Sequence, residues 1–153
     1  MENIIKKLHW KQPEKIQNEG IKLAILNEDL SFILDYCNDP NYAHNCAKIF
    51  SLLPYEKTEK YFDRLFLWIV DLNNEGAQII ENYLMKAPAK LIYDYFIEMA
   101  KYNSACINKK DGTLFWSLLW IMQENQELYK MLDKDKLFLK DLFDEIEKQQ
   151  KQS

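Results

Sequence analysis

The sequence predicts an all-α fold, and three observations carry that prediction. Apolar side chains recur at helical spacing, i, i+3, i+4 and i+7, along most of the 153 residues. Turn-forming residues are scarce, with three glycines and four prolines, whereas all-β chains need many turns. Apolar residues make up 48% of the chain, which is enough to close a core and argues against disorder.

The first predicted elements lie before residue 42. The chain starts in a helical segment, and Pro13 suits the first turn of a helix that runs to about Leu26. A short helical or irregular piece is predicted over 30–35. The run Asn38-Asp39-Pro40-Asn41 is typical of a turn.

Two helices are predicted over the next thirty residues or so. The first runs from about Ala43 to Leu53 and ends at Pro54, because the residue before a proline is pushed out of the α region. The second runs over about 57–72. Its apolar stripe contains Tyr61, Phe62, Leu65, Phe66, Trp68, Ile69 and Leu72.

The C-terminal half contains four more predicted helices. Asn73 and Asn74 break the preceding helix and are expected to cap a helix over 75–85. Pro88 opens a helix to about 102, and a polar loop is predicted over 108–112. The last two helices cover 113–124 and about 135–149. The last of these should bury Leu139, Leu142, Phe143 and Ile146.

An internal repeat predicts how these helices are arranged. When 47–70 is compared with 77–100, an offset of 30 residues, apolar positions coincide without a gap. Helix hairpins at such a period are typical of α-solenoids. We therefore expect a short HEAT- or armadillo-like solenoid of about three hairpins and a C-terminal capping helix, with a compact irregular bundle as the alternative. This single helical-repeat domain would cover 1–148, and 149–153 would fray.

Charge and cysteine content restrict the class of partner and the compartment. The net charge is −4, the pI is about 5.3, and Arg64 is the one arginine. Nucleic-acid binders need a basic face and use arginine to contact phosphate and guanine, so a nucleic-acid partner is not expected. No apolar run reaches the length of a membrane helix. Cys37, Cys46 and Cys106 cannot all pair within one chain, and a reducing cytoplasm is expected.

No combination of residues predicts catalysis, a metal site or a cofactor. Cys37, His44 and Cys46 match no paired zinc-ligand spacing. His44 and Cys46 are two residues apart in one helix, so they point in different directions and do not form a nucleophile–base pair. Asp71 and Glu75 flank a helix break, and helix capping explains them better than acid–base chemistry. We therefore expect a protein that is not an enzyme.

Other charged and aromatic groups are expected to be structural. The basic sets Lys6-Lys7-Lys11 and Lys109-Lys110 should be solvated surface. Trp116 and Trp120 lie four residues apart on one side of a helix. We expect them to pack in the core, and the alternative is an exposed aromatic anchor for a partner.

A set of short segments carries a resemblance to a known family. They are Leu8-His9-Trp10-Lys11-Gln12-Pro13, Gln17, Gly20-Ile21, Asn45-Cys46-Ala47-Lys48-Ile49, Leu65, Trp68, Asp71-Leu72-Asn73 and Gly76-Ala77. Through these segments the chain resembles a family of small bacterial proteins of unknown function that have an armadillo- or HEAT-like helical fold. The resemblance covers roughly residues 4–125, and the chain departs from the family at Ala43-His44 and Asn74-Glu75, where the family usually has a tryptophan. Similar proteins are sometimes treated as candidate immunity proteins of bacterial toxins.

A non-catalytic protein-binding module is the function that the pattern favours, and the resemblance extends this to a toxin-binding immunity protein. Short solenoids offer an elongated groove for a partner. The expected partner-binding residues are Trp10, Asn45, Trp68, Asp71 and Asn73. The alternative is an enzyme or small-molecule binder with a pocket between helix pairs that uses Asp71, Glu75 and His44. A nucleic-acid-binding solenoid and a purely structural role are further alternatives.

Overall fold

The all-α prediction is confirmed by the computed structural model, which describes residues 1–105 and 112–152. Within these residues the chain forms helices and turns but no strand. It divides into two compact units, Met1–Tyr83 (unit 1) and Leu84–Ser153 (unit 2). The stacking of hairpins into a solenoid and the single repeat domain over 1–148 stay predictions. None of the helices described combines the length and the apolar character that crossing a bilayer requires.

Unit 1 is built on the packing of its first, second and fourth helices. Its core is apolar, and Leu8, Phe50, Phe62, Leu65 and Phe66 are fully buried in it. The helices of this unit are α1 (Glu2–Leu8), α2 (Glu14–Ile25), α3 (Ser31–Leu34), α4 (Ala43–Ser51), α5 (Tyr55–Thr58) and α6 (Phe62–Trp68), and α7 (Ala77–Met85) begins in it.

The segment predicted as one helix over 57–72 is interrupted and ends early. A 3-10 turn, Glu59–Tyr61, separates α5 from α6, and α6 ends at Trp68. The Tyr61 hydroxyl accepts a hydrogen bond from the Leu30 backbone N–H at 2.7 Å and donates one to the Asp29 carboxylate at 3.0 Å. Together with two bonds from Ser31, this contact lowers the pKa of Asp29 to about 2. Of the predicted apolar stripe, Leu72 is half-buried and the other six residues are buried. Long-range hydrogen bonds set the backbone around this stripe.

Unit 2 contains α8 (Ala89–Ala105), α9 (Thr113–Glu124), α10 (Gln126–Leu132) and α11 (Lys140–Gln152). The helix α10 was not predicted. Asn125 begins it, because its side-chain oxygen accepts a hydrogen bond from the Leu128 N–H at 3.0 Å. The four apolar residues predicted for the last helical region are buried, but α11 starts five residues later than expected and continues through Gln152. Of the predicted loop over 108–112, all but Gly112 lies outside the described residues.

The expectation that Trp116 and Trp120 pack in the core is wrong. Their exposed fractions are 36% and 43%, whereas Phe115, Leu118 and Leu119 on the same helix are buried. Helix α9 is apolar around most of its circumference, so spacing alone did not reveal which side faces the core. The two indoles lie on the side of α9 that faces away from the core.

A buried hydroxyl network joins α7 to the α5 region within unit 1. The Tyr83 hydroxyl lies 2.6 Å from the Thr58 hydroxyl and donates a hydrogen bond to the Leu53 carbonyl at 3.2 Å. Burial raises the pKa of Tyr83 to about 12 from its ordinary value of 10. The folded protein therefore holds this phenolic proton more tightly than the unfolded chain does.

We expect Tyr83 to make the protein less stable in alkaline solution. Its contribution is complete below pH 10 and is lost as the pH rises toward 12, and by pH 11.5 the loss should reach about 2 kcal/mol. Urea unfolding of the wild type and Tyr83→Phe at pH 8 and pH 11.5 measures this loss of unfolding free energy. The other tyrosines and the lysines titrate in both proteins, so the variant should lose about 2 kcal/mol less than the wild type. Equal losses would contradict the assignment.

Candidate functional site

Trp10 is an exposed aromatic residue that hydrogen bonds to Asn41 hold in place. Its side chain is 56% exposed, yet its indole N–H donates to the Asn41 side-chain oxygen at 2.9 Å. Its backbone N–H donates to the Asn41 carbonyl at 2.8 Å. Asn41 is fixed in turn, because its backbone and side-chain N–H groups both donate to the Asp39 carboxylate. Trp10 is therefore exposed without being loosely attached.

Further aromatic rings surround this tryptophan. The His9 ring stacks against the Trp10 ring with centroids 6.4 Å apart, and it meets the Tyr42 ring edge-on at 5.1 Å. Tyr42 also contacts Tyr36 at 5.2 Å. The Lys11 ammonium lies 5.5 Å from the Trp10 centroid. Aromatic surface of this kind, ordered before binding, is typical of the energetic centres of protein interfaces.

Asn45 and Gln17 hold the backbone beside Trp10 through hydrogen bonds to its carbonyls. The Gln17 amide donates to the carbonyls of Trp10 at 3.0 Å and Gln12 at 2.6 Å. Asn45 donates to the Gln17 side-chain oxygen at 2.7 Å and to the Leu8 carbonyl at 2.8 Å. Asn45 is only 2% exposed, and its own side-chain oxygen has no hydrogen-bond partner among the described residues. Asn45 was predicted as a partner-binding residue, but in this buried position it supports the backbone beside Trp10 and is not itself exposed to a partner.

Trp68 lies in the core, and the other two predicted residues lie in an exposed turn after it. Trp68 is 3% exposed, and its indole N–H donates to the Glu75 carbonyl at 3.2 Å. The Asp71 carboxylate accepts the Asn73 backbone N–H at 3.0 Å, which closes a local turn. Asp71 and Asn73 are both exposed. Trp68 therefore holds the loop that presents them.

Gly76 brings this loop against α4. Its φ is +81°, a left-handed conformation that favours glycine. A Cβ built there would lie 2.7 Å from the Ala43 carbonyl oxygen and 2.8 Å from the Ala47 Cβ. Beside this contact lies a half-open cleft of about 280 Å³, between the start of α4 and the residues that precede and begin α7. The cleft brings His44 and Glu75 together, but Asp71 does not line it.

Hydrogen bonds link three loops of unit 1. The loop 9–12 contacts the loop 38–42 through Trp10 and Asn41. The loop 38–42 contacts the loop 71–76 through Asn38, whose side-chain oxygen accepts a hydrogen bond from the Asn74 amide at 3.0 Å. We call these three loops the three-loop face. Of the five predicted site residues, Trp10, Asp71 and Asn73 lie on it, and Asn45 and Trp68 support it from the interior.

The cysteines do not support a catalytic or metal site as an alternative to a binding surface. Cys37 and Cys46 are buried and free, and burial raises the pKa of the Cys46 thiol to about 12. A thiol held in its neutral form is a poor nucleophile and a poor metal ligand. Within residues 1–105 and 112–152, no three His, Cys, Asp or Glu side chains are placed to bind one metal ion. Cys106, Lys109 and Lys110 lie outside the described residues.

The residues that complete this surface had only weak signals in the sequence. Gln17 belongs to a segment of the family resemblance, but nothing in its spacing indicated that it bonds to two backbone carbonyls. Asn38 and Asn41 were recognised as turn formers, and their long-range bonds to Asn74 and Trp10 depend on the fold.

Comparison of the chain with family models, with curated proteins and with solved structures finds no match. The geometry of the surface itself is therefore what bears on function.

Proposed function

We propose that this chain is a non-catalytic module that binds a protein partner through the three-loop face. The observation that carries the proposal is the state of Trp10, which is 56% exposed and yet fixed by three hydrogen bonds. Its indole N–H and its backbone N–H each donate one, and its carbonyl accepts one. Ordering a large side chain costs free energy during association. A tryptophan that is already ordered avoids that cost, which supports a role as an anchor residue.

A partner-capture experiment with matched tryptophan variants tests the proposal. Tagged wild type, Trp10→Ala and Trp120→Ala are expressed in the source organism, and co-purifying proteins are quantified by mass spectrometry. Trp120 is the control because it is a similarly exposed tryptophan in unit 2. We expect one protein to be retained by the wild type and by Trp120→Ala, and to be reduced at least about tenfold with Trp10→Ala, as for an interface hot spot.

Two results would contradict this proposal. One is the absence of any specifically retained protein, and the other is equal retention by all three proteins. Thermal unfolding of Trp10→Ala provides the folding control. Because the side chain is largely outside the core, its loss should change the free energy of unfolding by no more than about 1 kcal/mol.

The finer proposal, that the partner is a bacterial toxin which this protein neutralises, is supported by the family resemblance. It predicts that a toxin-like gene lies beside the gene for this chain. Co-expression of the two should restore growth that the neighbouring gene alone prevents, and Trp10→Ala should fail to restore it. A neighbourhood without a toxin-like gene, or rescue by the variant, would count against this finer proposal.

A small-molecule binder or enzyme is the second candidate, and the cleft that contains His44 and Glu75 supports it. Such a protein should be stabilised against heat by a metabolite, and Glu75→Gln should remove the stabilisation. Failure of a broad metabolite panel to raise the melting temperature would exclude this candidate.

A further inference from the structure

The cleft beside Gly76 has the size and the lining to hold one amino-acid side chain. Its volume of about 280 Å³ lies just under the range of about 300–1,000 Å³ that is typical of pockets for whole small molecules. Leu72 and Ile79 supply apolar surface. The polar groups come from the side chains of His44, Asn73, Asn74, Glu75 and Gln78. This combination suits a guest with an apolar stem and a polar head.

Hydrogen-bond acceptors dominate the polar lining. Glu75 is exposed. Among the described residues, its hydrogen bond is the one that its backbone carbonyl accepts from the Trp68 indole N–H, and its carboxylate has none. Among the same residues, the carbonyls of Leu72 and Asn73 receive no backbone N–H, although the adjacent carbonyls of Asp71 and Asn74 each accept one. A ligand that binds here therefore meets more acceptors than donors.

The charge of the lining also favours a cation. Glu75 is the acidic residue of the lining, which contains one histidine, His44, and no lysine or arginine. The start of α7 borders the cleft and would favour an anion, but most of its N–H groups are already used. Those of Ala77, Ile79 and Ile80 donate to the carbonyls of Asn74 and Gly76. The donors left for an anion are the side chains of His44, Asn73 and Gln78, and the anion would lie beside the Glu75 carboxylate.

We infer that the cleft binds an arginine side chain that the protein partner inserts beside the Trp10 contact. A guanidinium group is planar and permanently charged, and it carries five N–H donors and no acceptor. It can bond to the Glu75 carboxylate and to neighbouring carbonyls at once, while its three methylene groups pack against Leu72 and Ile79. This inference rests on the proposed function, because it identifies what the partner contributes to the same face.

The charge distribution along the chain agrees with a basic partner. The whole net charge of −4 arises within unit 1, because acidic and basic residues are equal in number over residues 84–153. Asp39 and Asp71 lie on the three-loop face with Glu75, and Lys11 is the lysine of these loops. Such a face steers a positively charged partner toward itself.

The test uses Nα-acetyl-arginine amide as a stand-in for the partner's side chain. It is titrated into ¹⁵N-labelled full-length protein, and the side-chain amide signals of Asn73, Asn74 and Gln78 are followed by NMR. The amides of acetyl-norleucine and acetyl-glutamate are the comparison probes. We expect saturable shifts with the arginine probe and about tenfold weaker binding by Glu75→Gln, as for loss of a charge-assisted hydrogen bond. Glu56→Gln, which changes an exposed carboxylate elsewhere in unit 1, should bind within about twofold of the wild type.

Three results would overturn the inference. They are the absence of saturable shifts with the arginine probe, equal binding by Glu75→Gln, and binding of the glutamate probe as tight as that of the arginine probe. Failure here is separable from failure of the proposed function. If the arginine probe does not bind and Trp10→Ala still loses the captured partner, the cleft assignment falls while the three-loop face stands.

Discussion

Replacing Gly76 with alanine is expected to lower the free energy of unfolding by about 3 kcal/mol or more. The left-handed backbone at φ +81° costs a residue with a Cβ roughly 1–2 kcal/mol. In addition, the new methyl group would meet the Ala43 carbonyl oxygen at 2.7 Å and the Ala47 Cβ at 2.8 Å. Both neighbours belong to the helix α4, so neither can move aside as a flexible side chain would. The loop 71–76 must therefore shift away from α4.

Urea unfolding of the purified variant measures this cost. Gly112→Ala is the control, because Gly112 has a φ of −81°, which alanine adopts without strain. Because Gly112 is the N-cap of α9 and glycine is favoured over alanine there, we expect the control to lose no more than about 1 kcal/mol of unfolding free energy. A Gly76→Ala variant as stable as the control would show that the loop 71–76 does not pack against α4 as described.

Replacing Asn45 with alanine is expected to cost about 2–3 kcal/mol of stability. The substitution removes the donor that serves the Leu8 carbonyl and the Gln17 side-chain oxygen. Both acceptors then lose a hydrogen bond in a region that water does not easily reach. Removing the unpartnered Asn45 oxygen offsets part of this cost. Because Gln17 in turn holds the Trp10 and Gln12 carbonyls, the loop 9–12 should also become less ordered.

Asn73→Ala is the matched control for Asn45→Ala. Both asparagines were predicted to contact the partner, but Asn73 is exposed, and its one hydrogen bond to the described residues is from its backbone N–H to Asp71. Its replacement should change the unfolding free energy by no more than about 0.5 kcal/mol. Hydrogen exchange should be faster at residues 9–12 in Asn45→Ala and unchanged there in Asn73→Ala. Equal stability of the two variants would contradict the supporting role of Asn45.

Helical spacing of apolar residues predicted the helices that form around one apolar stripe. The helices α2 and α9 were predicted to within about one residue, because a capping position or a turn residue bounds each of them. The missed α10 is short, and its start signal is a single asparagine with an acidic residue two positions later. The break between α5 and α6 depends on the bonds of Tyr61 to Leu30 and Asp29, which lie about thirty residues away and leave no periodic signal.

The candidate site was predictable only in part, because burial separates residues of the same chemical type. Trp10 and Trp68 both look like anchors in the sequence, yet the first is exposed and the second is in the core. Likewise, Asn45 is buried and Asn73 is exposed. The cleft depends on Gly76 approaching α4, and a contact between residues so far apart in the sequence is set by the fold rather than by local pattern.

Site-specific photo-crosslinking tests the central claim, that a partner contacts the three-loop face of unit 1. A benzophenone amino acid is placed at Asn73 on that face and, in a separate protein, at Lys148 on α11, since both positions are exposed. On irradiation in the source organism, the protein labelled at 73 should form a covalent adduct with one other protein, and Trp10→Ala in the same protein should remove that adduct. The protein labelled at 148 should form none. An adduct at 148 without one at 73, or an adduct at 73 that survives Trp10→Ala, would contradict the account.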